Sequence, residues 1–200
     1  MFLGAAVSVA AVAYAATPGA AGNLPSATFA PTGGATSIPY GWVDFCRRNA
    51  GECEAHDTVR DIRLTAKTLK TIAAVNKWVN GNIEPLSDMA HWGVVDHWDY
   101  PDDGKGDCED YLLLKRKHLV EAGFPASALL VTVVKDKKGE GHAVLTVKTD
   151  RGEFILDNMT DKIVSWDKTG YRFVKRQSQE APNVWVTIGE PTEAPAYVSR

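Results

Sequence analysis

The chain is poor in cysteine and histidine, with three and five respectively in 200 residues, and it has no surplus of positive charge. Lys and Arg number 22 against 25 Asp and Glu, a formal net charge of -3, and no basic stripe runs along any segment. That excludes the electrostatic footprint of a nucleic-acid binder, and an acidic excess this small speaks of solubility and not of substrate. The histidines lack the spacing of a zinc site. No internal repeat is present, which removes the solenoid architectures. No apolar run reaches the roughly 20 residues that a membrane-spanning helix needs.

Residues 1–16 carry no charged side chain and are dominated by Ala and Val, with Ala13 and Ala15 flanking Tyr14 as a small-residue cleavage signature. No Lys or Arg precedes the apolar stretch. The segment predicts export with cleavage near Ala15, hence a signal peptide over 1–15 and no stable membrane insertion once it is removed. Residues 16–39, rich in Ala, Gly, Pro, Ser and Thr without a sustained period, read as a flexible linker that carries no chemistry. Residues 40–190 suit one catalytic domain, and residues 191–200 a C-terminal tail.

Inside the domain, residues 40–50 predict a short helix around Trp42, Val43 and Phe45. Asp57 or Thr58 then caps a longer one whose stripe is Val59, Ile62, Ala66, Leu69, Ala73, Asn76 and Val79, with Gly81 as its stop. A long loop over 83–105 leads to a helix over 108–122, ended by Gly123 and Pro125. The period then changes. Residues 128–134, 142–149, 153–157, 171–176 and 184–188 are β-rich runs separated by turn clusters. Helices first and an antiparallel sheet second is an α+β plan. Trp166 and Trp185 are expected to pack against that sheet.

Three cysteines in an exported chain leave one unpaired. Cys46 and Cys53 are separated by six residues that include Gly51, a loop short enough for a disulfide in an oxidising compartment; three buried free thiols are the alternative. Cys108 is then the odd one.

Cys108 stands in Gly106-Asp107-Cys108-Glu109-Asp110 at the start of a helix, where unpaired N–H groups and the positive end of the dipole favour a thiolate. On a helical wheel Cys108, Tyr111, Leu112, Leu119 and Ala122 share one arc that faces the rest of the domain. A structural cysteine seldom lies between an aspartate and a glutamate. His142 opens a strand directly after Gly141, and the two glycines of Gly139-Glu140-Gly141 leave open backbone beside the ring for a substrate to approach. If Asp150-Arg151 is a two-residue turn, Asp157 faces Val144, diagonal to His142 on one side of the sheet. Gly152 also permits a three-residue turn, which sends Asp157 to the other face unless a bulge restores it. A thiol, an imidazole and a carboxylate in this order are the parts of a cysteine nucleophile, its base and its orienter.

Gly-Asp-Cys-Glu-Asp-Tyr before an amphipathic helix, Gly-His-Ala-Val-Leu opening a strand and Phe-Ile-Leu-Asp-Asn on the next resemble the bacterial transglutaminase-like cysteine peptidases. The similarity extends from about Trp42 to Ile188, and Trp42-Val43-Asp44-Phe45-Cys46 with Cys53 fits the pattern on its N-terminal side. The resemblance implies a papain-like α+β fold with the nucleophile at a helix N-terminus. It also implies a triad of Cys108, His142 and Asp157, and export to the periplasm. On it, Cys108 attacks, His142 is base and later acid, and Asp157 fixes the imidazole tautomer. The Cys108 N–H contributes to an oxyanion hole, whose second donor stays open between an indole of Trp92 or Trp98 and neither.

Asp99, Asp102, Asp103, Asp107, Glu109 and Asp110 crowd the approach to Cys108, and negative charge disfavours a thiolate. A hard divalent cation would offset it. Calcium dependence is what adhesin-releasing members of the family suggest, with Asp107 and Glu109 as ligands; a solvated acidic turn is the alternative. Lys115, one heptad on from Cys108, reads as a lysine whose stem is buried and whose head reaches water. The leading expectation is a cysteine endopeptidase that acts on an envelope or surface protein, such as an adhesin, under a regulatory receptor. A transglutaminase, a peptidoglycan amidase and a non-catalytic peptide-binding module are the competing readings.

Overall fold

The computed structural model describes residues 23–189 and 193–198, so the expected signal peptide lies outside the described residues. Among the described residues four α-helices and nine strands follow one another in the order β1 (Thr32–Thr36), α1 (Tyr40–Arg48), α2 (Ala66–Asn82), β2 (Glu84–Pro85), α3 (Asp88–His91), β3 (Lys105–Gly106), α4 (Cys108–Glu121), β4 (Leu129–Lys135), β5 (Gly141–Thr149), β6 (Gly152–Asp157), β7 (Thr160–Ser165), β8 (Arg172–Gln177) and β9 (Trp185–Ile188). Seven strands form one antiparallel sheet in the order β1-β9-β8-β4-β5-β6-β7, and β2 pairs with β3 in a small parallel ribbon. The α+β plan expected from the change of period is the one observed.

Alternation along the strands sorts the core into two faces. Val131, Val133, Ala143, Leu145, Val147 and Leu156 meet Leu112, Leu113 and Leu119 of α4 on one side. Val134, Val144, Ile155 and Phe173 pack on the other, with Trp166 and Tyr171 against them. Trp185 is buried in the first cluster, and Trp166 sets its ring edge-on to Phe173, so both tryptophans pack as expected. Helix α1 closes one end through Trp42, whose ring meets those of Trp98 and Trp185 at 6.3 and 6.5 Å between centroids. Cys46 and Cys53 are joined in a disulfide that ties α1 to the turn after it, and Cys108 is the free cysteine.

Helix α2 starts at Ala66, eight or nine residues later than the expected caps Asp57 and Thr58. Thr65 is the cap: its hydroxyl accepts from Thr68 N–H while Thr68 Oγ1 accepts from Thr65 N–H, a reciprocal arrangement that outcompetes the earlier aspartate. The residues before it are extended, and Ile62 hydrogen-bonds to the edge of the β5–β6 turn through Lys148 and Asp150. The segment expected to be a flexible linker also departs from expectation. Thr32–Thr36 is a strand on the sheet edge, and Ala27 and Ala30 bond to Arg151 O and Glu153 Oε2. A glycine-rich edge strand shows little β signal in composition, because its pairing supplies what propensity does not.

Helix α4 runs through the middle of the molecule and is buried almost all round. Lys115 is fully buried on it, which corrects the expectation of a head in water. Its Nζ lies 5.8 Å from the Tyr111 ring centroid. Burial pulls its ammonium down to about 7.

Candidate active site

Cys108 is the first residue of α4, with Asp107 as the residue that caps it. Asp107 N–H donates to Asp110 Oδ2 at 3.2 Å and Tyr111 N–H returns to Asp107 O at 3.1 Å, which closes the first turn and leaves the N–H of Cys108 outside the intrahelical pattern. The thiol is 1 % exposed and donates to Glu109 Oε2 at 3.1 Å.

Thr149 pairs with Gly152 across Asp150-Arg151; neither of those two residues has a positive φ, and Gly152 does, at 105°, as the glycine of a bulge that closes the turn. Leu145 is therefore opposite Leu156, and Asp157 comes next on the side that reaches His142. The His142 ring is completely buried and its Nε2 lies 2.9 Å from Asp157 Oδ1. Asp157 is held from several directions: Tyr171 O–H donates to Oδ2 at 2.6 Å, Met159 N–H to Oδ1 at 3.0 Å, and Asn80 Nδ2 to its carbonyl at 3.0 Å. Tyr171 also sets its ring edge-on to His142, 5.6 Å between centroids. Sequence reasoning did not find Tyr171 or Asn80, because only the packing of β8 and α2 around β6 brings them there.

Burial alone would push the His142 ring down, but the Asp157 hydrogen bond and the sulfur beside it overcome that and raise it to about 10. The sulfur acts on the ring without a hydrogen bond of normal geometry closing to Nδ1. Asp157 responds in the opposite sense. Burial would raise it, and the bond and charge of His142, with Tyr171 and Met159, lower it.

The acidic residues near the thiol divide into two groups. Asp99 pairs with Arg48 at 2.6 Å and Asp103 with His91 at 2.8 Å, both on the outside. Asp107, Glu109 and Asp110 are buried, and Asp88 from α3 joins them. One carboxylate oxygen from each of Asp88, Asp107 and Asp110 falls within 4.8 Å of the others, and an oxygen of Asp107, the Cys108 sulfur and an oxygen of Glu109 do the same. Burial pushes Asp88 up to about 6, Asp110 to about 8 and Glu109 well above the carboxylate range, and their mutual repulsion adds to it. Asp110 spends both oxygens on the N–H groups of Asp99 and Asp107. Asp88 Oδ1 and Glu109 Oε1 have no hydrogen-bond donor among the described residues. Asp88 carries no local sequence signal and was missed; it reaches the cluster because the β2–β3 ribbon folds α3 back against the start of α4.

The indole of Trp98 donates to Asp96 Oδ1 at 3.0 Å and Trp92 is half exposed, stacked on His91, so neither expected donor is aimed at the sulfur.

Comparison with known proteins gives a consistent picture. The profile of the bacterial transglutaminase-like cysteine proteinases matches residues 32–193. The fold is similar to that of calcium-bound LapG from Legionella pneumophila, with 24% identity and a TM-score of 0.52 over 66% of this chain and 76% of that one. A second structure of LapG from the same organism gives 26% and 0.51 over 60% and 68%, and its EGTA-treated form 26% and 0.50 over 62% and 72%. No curated protein sequence matches the chain.

Proposed function

Since the chain belongs to the bacterial transglutaminase-like cysteine proteinases and is a cysteine peptidase, we propose that Cys108, His142 and Asp157 are its catalytic triad. The observation that carries the reading is a lone thiol on the first turn of α4, close enough to act on a ring whose far nitrogen is bonded to a buried carboxylate.

In that reaction the Cys108 sulfur, as thiolate, attacks the scissile carbonyl carbon and forms the C–S bond, while negative charge gathers on the carbonyl oxygen next to the Cys108 N–H. His142, held as the imidazolium, delivers its proton to the departing amine as the C–N bond breaks and leaves a thioester. Water then gives a proton to His142 and attacks the thioester carbon; the C–S bond breaks, the product leaves as an acid that loses its proton to solvent, and the thiolate–imidazolium pair is restored. Asp157 keeps the charge and the orientation of the ring, and Tyr171 fixes Asp157.

The buried carboxylates fit a hard divalent cation: Asp88 and Glu109 each present an oxygen without a donor, and Asp107 lies between them. Asp88, Asp107 and Glu109 would hold calcium, which would neutralise the charge beside the thiol and fasten α3 to α4. The calcium-bound and EGTA-treated structures of LapG support this assignment.

The substrate we assign is an envelope or surface protein, an adhesin by family likeness, reached from the periplasm and under the control of a regulatory receptor. The apolar start of the sequence and the Cys46–Cys53 disulfide agree with an oxidising compartment, and no described helix is long and apolar enough to cross a membrane. The test is alkylation of Cys108 by iodoacetamide together with hydrolysis of purified surface proteins. Both should require His142. Label incorporation that is indifferent to His142→Ala would indicate a binding module, and transfer of the acyl group to a labelled amine would indicate a transglutaminase.

A further inference from the structure

A peptidase needs an open groove, yet the thiol of Cys108 is 1 % exposed and the ring of His142 is 0 % exposed. A segment of the chain itself packs against Gly141, the neighbour of His142. Residues 194–198 line a cavity of about 210 Å³ together with Asp96, Trp98, Val133 and Lys175. Val198 is buried there, in one continuous apolar cluster with Trp98, Val133, Ala143 and Cys108. Its backbone N–H bonds to Asp96, whose carboxylate also accepts from Gly41 N–H at 3.2 Å and from the Trp98 indole.

The tightest approach is at Gly141, the residue before the triad histidine. A Cβ placed on Gly141 would stand 2.2 Å from Tyr197 O and 2.9 Å from Pro195 Cβ. Gly141 has no positive φ, so the demand for glycine there comes from a neighbouring chain segment and not from its own backbone. The bare backbone that leaves room for a substrate beside His142 is thus filled by the chain's own residues. A carboxylate that takes a main-chain N–H and a glycine that admits a main-chain carbonyl are the means by which a cleft grips an extended peptide of varied sequence.

Resting on the triad assignment, we propose that Asp96, Trp98, Val133 and Gly141 form a peptide-binding subsite of the cleft, and that residues 193–198 occupy it as an autoinhibitory segment that a protein substrate must displace. The contact is not covalent and needs no chemistry to release. It is held by one main-chain hydrogen bond to Asp96 and by the burial of Val198.

The experiment compares the rate of Cys108 alkylation by iodoacetamide in the full chain, in a chain ending at residue 192, and in full-length Gly141→Ala, each with and without His142→Ala. Removing the segment, or denying it Gly141, should raise the His142-dependent rate at least tenfold. A synthetic peptide of residues 193–200 should restore protection to the shortened chain and fail on its Gly141→Ala form. Equal, His142-dependent rates in all three chains would overturn the inference and leave the triad standing. Rates indifferent to His142 in every chain would remove the triad reading instead. If the shortened chain does not fold, Gly141→Ala and Val198→Asp in the full chain decide by the same criterion.

Discussion

His142 and Asp157 meet across the β5–β6 pair at 2.9 Å, with Tyr171 closing the other carboxylate oxygen at 2.6 Å. The ring therefore has one orientation. Asp157→Asn should preserve the contact but hold the wrong tautomer, and kcat/KM for a cleaved protein should fall by about 10³ to 10⁴. Tyr171→Phe removes only the bond that steadies Asp157, so a loss of about tenfold is expected, on the scale of a single hydrogen bond to a charged group. Steady-state hydrolysis of one substrate by the three proteins checks the ranking; equal losses would contradict it.

The raised His142 ring makes a statement about pH. Its folded value of about 10 stands above the ordinary 6.5, so the folded state holds a proton that the unfolded state releases between those limits. The stability from this pair is complete below pH 6.5 and is lost as pH rises through 10. Thermal melts of the native chain and of His142→Gln should differ most near pH 6 and converge by about pH 10. A gap that widens with pH would reverse the assignment of charge.

Much of this site could be read from residue order alone, for identifiable reasons. Cys108 announces itself because a helix start has a capping signature, and His142 with Asp157 because a two-residue turn sets the parity of both strands. Asp88, Tyr171 and Asn80 were invisible because each arrives from an element distant in sequence, and no local pattern encodes that approach. Strand β7 was missed for another reason: Thr160–Ser165 carries Asp and Lys near its start on an exposed edge, and pairing with β6 outweighs its weak propensity. The start of α2 was misplaced because Asp57 and Thr65 are both good caps, and only Thr65 has its partner three residues on.

Calcium should act on stability as well as on turnover. Four buried carboxyls adjoin one another and repel, so a cation bound to the folded state alone stabilises it by mass action. At a calcium concentration a hundredfold above Kd the gain is about 2.7 kcal/mol. Addition of EGTA should lower Tm and slow hydrolysis together. In Asp88→Asn, a position outside the acidic stretch of the sequence, the calcium-induced rise in Tm should shrink. A melt unmoved by calcium would remove the site.

The Cys46–Cys53 bridge joins residues seven apart, and a loop this short restrains the unfolded chain modestly. The double Cys→Ser variant should lose about 2 kcal/mol, seen as a fall in Tm of roughly 5 °C. Cys108 lies on another helix, so kcat per folded molecule should be unchanged, and alkylation should still report one thiol. A large drop in kcat at a temperature where the variant is folded would show that α1 shapes the site more directly.

Lys115 is the one buried lysine on α4, and among the described residues no carboxylate lies within salt-bridge distance of it. Burial lowers its folded value to about 7 against the ordinary 10.5, while Asp157 and Asp161 pull weakly the other way. The unfolded chain binds the proton more readily, so the lysine destabilises the fold in full below pH 7, by less and less as pH rises from 7 to 10.5, and not at all above that. Lys115→Met keeps the volume and removes the charge. It should raise stability by roughly 1 to 3 kcal/mol at pH 6, the range seen when buried charge gives way to apolar side chains, with the gain fading towards pH 10. Denaturant titrations of both proteins at the two pH values check the sign. A loss of stability at pH 6 would mean that the ammonium has a buried partner strong enough to justify its place beside Asp157.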